Sequence, residues 1–121
     1  MNKILVVDDE RALRLLVVDT LEIGDYEIFE TDNGIDALEI AKNKKPNLII
    51  LDVMMPGMTG YEVCEHIKTN PDLAHIKILI LTAKGQQADR KAAKYALADY
   101  YLSKPFSPME LLLMVEKIIE D

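Results

Sequence analysis

Short runs of β-branched and aliphatic residues alternate along this chain with segments of helical spacing, and that rhythm restricts the fold more than any other feature. The apolar runs lie at residues 4–7, 48–51 and 76–81, with weaker ones at 26–31 and 100–102. Each is too short for a buried helix and rich in Ile, Leu or Val, the mark of a strand covered on both faces. Between them, apolar side chains recur at three- and four-residue intervals. Leu13, Leu16, Val17 and Leu21 form one such stripe, Ile35, Leu38 and Ala41 a second, and Val63, Cys64 and Ile67 a third. A further helix is predicted over 87–97. Ser107 and Pro108 then open a last one, with serine as N-cap, proline at the first position, and Leu111, Val115, Ile118 and Ile119 on the inner face. Five strands alternating with five helices predict an α/β fold, (βα)5, its parallel sheet covered on both faces through right-handed crossovers. No internal repeat, low-complexity tract or linker interrupts the pattern, so residues 1–121 read as a single domain.

Composition narrows the function. Half of the residues are apolar and 29% are charged, which is the balance of a folded globular chain. Asp and Glu number 21 against 14 Lys and Arg, a formal charge of -7, and no basic run is present. A phosphate backbone is repelled by such a surface, so no direct nucleic-acid binding is expected. One cysteine, Cys64, excludes an internal disulfide and the spacing of a thiolate zinc site. No apolar stretch approaches the roughly 20 residues of a membrane span. A single lysine before residues 4–7 is too little for a signal peptide. A cytoplasmic protein with no membrane contact is therefore expected.

In open parallel sheets, ligands collect outside the carboxyl ends of the strands. The first strand runs into Asp8-Asp9-Glu10, and the second into the turn Thr31-Asp32-Asn33-Gly34. The third ends in Asp52, the fourth in Thr82, and the fifth in Ser103-Lys104-Pro105. Singly, these are a solvated acid, a cap, a loop hydroxyl and a turn. Together they place carboxylates, a hydroxyl and an ammonium on one rim. Asp8, Asp9 and Asp52 would raise one another's pKa and cost stability unless a cation relieved them. Oxygen-only donors, with no His or Cys nearby, favour Mg²⁺. A dication plus Lys104 offsets three carboxylates and leaves room for a phosphoryl group, which Thr82 and the helix N-termini at this rim can help to hold. The chemistry indicated is phosphoryl transfer to an aspartate.

The segments ILVVDDE, LIILDVMMPGMTGYEV, ILTAK and YYLSKPFSP, in this order and at this spacing, resemble the receiver domain of two-component response regulators over essentially the whole chain. The resemblance implies a doubly wound, flavodoxin-like sheet of order 2-1-3-4-5. It implies Asp52 as phospho-acceptor, Asp9 as a direct Mg²⁺ ligand, Asp8 holding the ion largely through water, and the backbone carbonyl of Met54 as a further ligand. Thr82 becomes the hydroxyl that closes on the phosphoryl oxygen, and Lys104 its ion-pair partner, with a cis peptide at Lys104-Pro105. Tyr101 falls at the aromatic switch position, its ring moving inward with Thr82. The implied function is a phosphorylation-dependent signalling switch, which catalyses only its own phosphorylation and dephosphorylation. Its donor is a phosphohistidine of a sensor histidine kinase or phosphotransfer protein. The face formed by the 87–97 helix, the fifth strand and the last helix would control a downstream effector protein or a fused output domain, and it admits a weak homodimer on phosphorylation. Glu10, Met54 and Lys84 stand beside the site and are expected to tune rates.

Several positions depart from the family pattern. Leu97 stands where many members carry glycine. Tyr100 replaces an acid and Met114 an arginine, which weakens the ion pairs of the dimer some members form. With Leu113 nearby, that face looks more apolar than usual and points to a different partner. His66 and His75 are expected on the surface, Cys64 in the core, and Phe106 against the loop after Pro105. Met54, Met55 and Met58 suggest a soft exposed patch beside the acceptor, for partner contact or, more plainly, for packing. Glu10 is expected to open the first helix, where its charge suits the dipole. Two other readings fit less well. A haloacid-dehalogenase-like phosphatase has two aspartates one residue apart after the first strand, where this chain has Asp8 and Glu10, and a cap domain does not fit in 121 residues. A flavodoxin-like binding module would need a phosphate-cradling loop where these acids stand.

Overall fold

The structure, a computed structural model, describes residues 1–83 and 98–121. The helix predicted over 87–97, together with Lys84 and Leu97, lies outside the described residues. Five strands form one sheet: β1 (Asn2–Val7), β2 (Tyr26–Thr31), β3 (Leu48–Asp52), β4 (Lys77–Ala83) and β5 (Tyr100–Lys104). Their order is β2-β1-β3-β4-β5 and every pairing is parallel, as the sequence predicts. The described helices are α1 (Arg11–Leu21), α2 (Gly34–Lys44), α3 (Gly60–Lys68) and the C-terminal helix (Pro108–Glu120).

The strand pleat sorts the inner strands into two cores. Leu5, Val7, Ile49, Leu51, Ile78 and Ile80 face α2 and α3, where they meet Ala37, Ala41, Val63, Cys64 and Ile67. Ile4, Val6, Leu48, Ile50, Leu79 and Leu81 face the other way, against Val17, Val18 and Leu21 of α1 and Leu111, Val115 and Ile118 of the C-terminal helix. Successive residues point to opposite faces, so a strand with a core on each side needs an unbroken apolar run. That requirement is why the sequence shows no alternation there.

Two expected core residues are instead exposed, Leu16 at 42% and Ile35 at 67%. Consecutive helical residues are about 100° apart, so once Val17 and Val18 both turn inward, Leu16 is carried to the rim. In α2 the inward residues are Gly34, Ala37 and Ala41, which puts Ile35 on the opposite side. Three helices carry side-chain N-caps, of which the Ser107 cap is the one the sequence predicts. Asn33 accepts from the Asp36 amide at 2.8 Å. Thr59 with Glu62, and Ser107 with Glu110, form reciprocal capping boxes, the second with Pro108 in the first turn. Glu10 occupies the N-cap of α1 without a side-chain cap bond, and the helix proper begins at Arg11.

The C-terminal helix is held by its buried stripe more than by its cap. Leu111→Ala is expected to lower unfolding free energy by about 2–5 kcal/mol, and Ser107→Ala by about 1 kcal/mol. Urea titration of both variants checks this ordering, which a larger loss from the cap variant would reverse.

A carboxylate-rich site at the carboxyl edge of the sheet

Strand register brings the acids together. Val7, the last residue of β1, pairs with Leu51, so Asp8 leaves its strand beside Asp52, the last residue of β3. Both are buried, at 1% and 7% exposure, whereas Asp9 is exposed. One carboxylate oxygen from each of Asp8, Asp9 and Asp52 lies within 4.8 Å of the others. Lys104, at the end of β5, reaches across and donates from Nζ to Asp52 Oδ1 at 2.7 Å. The peptide between Lys104 and Pro105 is cis.

Asp8 is gripped on almost every side. Its amide donates to the Thr31 carbonyl at 3.2 Å. Its carbonyl accepts from Arg14 Nη1 at 2.8 Å, and its Oδ1 accepts from the Glu10 amide at 2.9 Å. Oδ2 is buried with no hydrogen-bond partner. Burial is the main reason the carboxyl is pushed up from 3.8 to about 6; Asp52 and Asp9 push it further, while the Glu10 amide and Lys104 oppose them.

Thr82 is half-buried near the end of β4, paired with Ser103. Tyr101 pairs with Ile80, so pleating puts the Thr82 and Tyr101 side chains on the same face of the sheet, toward α3. Tyr101 is 38% exposed, and its phenol is raised by partial burial, with small contributions from Cys64 and Tyr61. Of the three methionines, only Met54 is an exposed side chain, at 63%. Met55 is buried and Met58 packs against the α2–α3 core, so the expected patch reduces to one residue. His66 and His75 are exposed, and Cys64 is fully buried, its thiol pushed up to about 12 by burial. Phe106 packs on the α1 side of the sheet.

Two residues that serve the site are not legible as such in the sequence. Gly60 donates its amide to the Val53 carbonyl at 3.0 Å, and a Cβ there would collide with the Asp52 carbonyl oxygen. Only glycine lets α3 start this close to the acceptor's main chain. The one available signal is a glycine directly after a capping threonine. Arg14 gives no signal, since an arginine on an amphipathic helix reads as solvent-facing.

The donor set fits a hard divalent cation. It consists of carboxylate oxygens, and a buried oxygen without a partner, such as Asp8 Oδ2, is what an oxygen-seeking ion would satisfy.

Fold and site together define a doubly wound α/β protein with an acidic pocket and a lysine at the sheet's carboxyl edge. The profile of the response regulator receiver domain matches residues 4–116, and the chain belongs to that family. A probable transcriptional regulator, ycf27, of Porphyra purpurea is 41% identical over 98% of this chain and 47% of its own length. The crystal structure of a putative response regulator from Chloroflexus aurantiacus superposes with a TM-score of 0.93 at 32% identity, covering 99% of this chain and 98% of the other. The receiver domain of the sensor histidine kinase PA1611 from Pseudomonas aeruginosa, with a magnesium ion coordinated in its active-site cleft, does so with a TM-score of 0.91 at 27% identity and the same coverage. The chain spans about half the length of the curated relatives it matches. No described helix is long and apolar enough to cross a membrane.

The Asp8 carboxyl generates a pH-dependent penalty in the metal-free protein. An acid whose folded pKa exceeds its unfolded one binds more protons when folded, so its ionisation costs stability as pH rises from about 4 to about 6. In a chelator, Asp8→Asn should therefore unfold like the wild type near pH 4. Above about pH 6 it should be more stable by on the order of 2 kcal/mol. Denaturant titrations across this range check it, and a difference independent of pH would contradict the assignment.

Proposed function

We propose that residues 1–121 form one receiver unit, a phosphorylation-controlled switch in which Asp52 accepts the phosphoryl group. The observation that carries this reading is the buried Asp52 carboxylate, paired with Lys104 at 2.7 Å inside a cluster of two further carboxylates. Asp8, Asp9, Asp52 and the main-chain carbonyl of Met54 would hold Mg²⁺. When bound, the ion supplies positive charge that offsets the acids and the incoming phosphoryl oxygens.

Asp52 attacks phosphorus of a phosphohistidine presented by a sensor kinase or phosphotransfer protein. A P–O bond forms, the P–N bond breaks, and its electron pair returns to the imidazole, which takes up a proton. Lys104 is already in place as the counter-ion and can follow the charge outward to a phosphoryl oxygen. The Thr82 hydroxyl donates to another. Water later cleaves the acyl phosphate, releasing inorganic phosphate and restoring Asp52. The chain thus acts only on its own aspartate. Signalling arises because the phosphoryl group makes different contacts in two conformations, and the favoured one gains by that difference.

Thr82 and Tyr101 share a sheet face, which suits a switch in which the ring follows the hydroxyl. On the other face of the sheet, along the C-terminal helix, a shallow groove of about 360 Å³ is lined by Leu102, Glu110, Leu113, Met114 and Lys117. Tyr100 is hydrogen-bonded to Asp121 at 2.9 Å, and Met114 packs partly into the core. Neither offers the charge that would pair two copies strongly. This face is suited to an apolar contact with an effector protein or output domain, with self-association only weak, and the exchange is placed in the cytoplasm.

Incubation with acetyl phosphate and Mg²⁺ should add one phosphoryl group by intact mass, and Asp52→Ala should add none. Steady release of phosphate from esters, with no adduct on Asp52, would reject the switch in favour of a phosphatase.

A further inference from the structure

We infer that Arg14 is a positioning residue for the acidic pocket, clamping the peptide that carries Asp9. The inference rests on the Mg²⁺ reading of that pocket. Arg14 lies on the second turn of α1 with its side chain 17% exposed. Nη1 donates to the Asp8 carbonyl at 2.8 Å, and Nε donates to Glu30 Oε1 at 3.0 Å. Glu30 and Thr31 are the last two residues of β2. The amide of Asp8 is bonded directly to Thr31, and its carbonyl is tied through Arg14 to Glu30. Both peptide units around Asp8 are thus anchored to the end of one neighbouring strand.

The anchored carbonyl belongs to the Asp8–Asp9 peptide, whose orientation sets the direction in which Asp9 leaves the chain. Asp9 is exposed, so packing does not fix it. Its carboxylate nevertheless lies within 4.8 Å of two others of like charge. Repulsion at that range favours swinging the loop outward. A planar guanidinium with two fixed donor directions resists the swing better than a single flexible donor could. With Oδ1 of Asp8 held by the Glu10 amide, the clamp leaves Asp8 Oδ2 and the Asp9 carboxylate as the groups available to a cation.

Charge and positioning predict opposite signs. As a bare cation near a dication site, Arg14 would repel the ion, so its removal would tighten Mg²⁺ binding. As a clamp, its removal must weaken binding. Supporting groups of this kind typically change metal affinity by about 10–100-fold.

Calorimetric titration of Mg²⁺ into wild type, Arg14→Ala, Arg14→Met, Glu30→Gln and Asp9→Ala chains at neutral pH and fixed ionic strength tests the inference. Urea unfolding in chelator provides the folding control. The expected result is a loss of about tenfold or more for both Arg14 variants, and a smaller loss for Glu30→Gln. Arg14→Met keeps most of the apolar stem, so it reports on the clamp if the alanine variant unfolds. Unchanged or tighter binding in the Arg14 variants would overturn the inference, even if their metal-free stability fell. A wild type that does not bind Mg²⁺, or an Asp9→Ala variant that binds as well, would remove the Mg²⁺ reading itself.

Discussion

Three carboxylates within 4.8 Å at the end of a parallel sheet, with one ammonium among them, set the terms for the rest of this molecule. Left to themselves the acids would separate or take up protons; Asp8, raised to about 6 mainly by its burial and further by Asp52 and Asp9, goes part of the way. Holding it ionised at neutral pH costs on the order of 2–3 kcal/mol. A single fully buried Leu or Ile contributes about 1.5–3 kcal/mol, and two complete apolar layers flank the strands that carry the acids. The double-sided core therefore does more than give the chain a shape. It fixes the strand ends firmly enough for like charges to stay together.

The pleat that builds two cores also divides the site. Asp8, Asp52 and Lys104 continue the rows that face α1 and the C-terminal helix, since Val6, Ile50 and Leu102 precede them by two residues. Thr82 continues the row of Ile78 and Ile80, facing α3, and Tyr101 lies beside it. The Asp52 and Lys104 side chains thus start from one face of the sheet and the Thr82 side chain from the other. On the proposed reading, a phosphoryl group on Asp52 would reach across the edge of the sheet to the Thr82 hydroxyl. Its contact with Thr82 would carry information from the α1 side to the α3 side.

How much of this was legible follows from how far each determinant acts along the chain. Strands, caps and the N-terminal proline of the last helix depend on neighbours a few residues away, and the expected cap at Ser107 corresponds to an observed bond. Asp8, Asp9, Asp52 and Lys104 were legible because parallel topology sends every strand's carboxyl end to one edge, so position along the chain becomes position in space. Leu16 and Ile35 were misplaced because apolar spacing fits more than one stripe, and only the partner surface selects between them. Met55 and Met58 point inward for a similar reason: packing against the α2–α3 core decides their direction, and nothing in their own identity records it. Gly60 and Arg14 act through main-chain atoms of residues distant in sequence, Asp52 and Asp8, and composition cannot register a contact with a carbonyl.

The Asp52–Lys104 pair has a further consequence for timing. A buried ion pair is weak as a source of stability, because desolvating both charges consumes most of their attraction. Here, however, the pair also fixes where the Asp52 carboxylate points, with Lys104 Nζ 2.7 Å from its Oδ1. If Asp52 took up a phosphoryl group, its carboxylate would become a neutral acyl-phosphate linkage and the charge that held Lys104 would move outward onto the phosphoryl oxygens. The ammonium must then either follow or lose its partner in a low-dielectric site, and following costs far less. Lys104 is the last residue of β5, two residues beyond Leu102 in the groove wall, so its displacement acts on the strand that borders that face. On the proposed reading, the attraction that now pairs Lys104 with Asp52 would therefore pull on the groove along β5 once Asp52 carried a phosphoryl group.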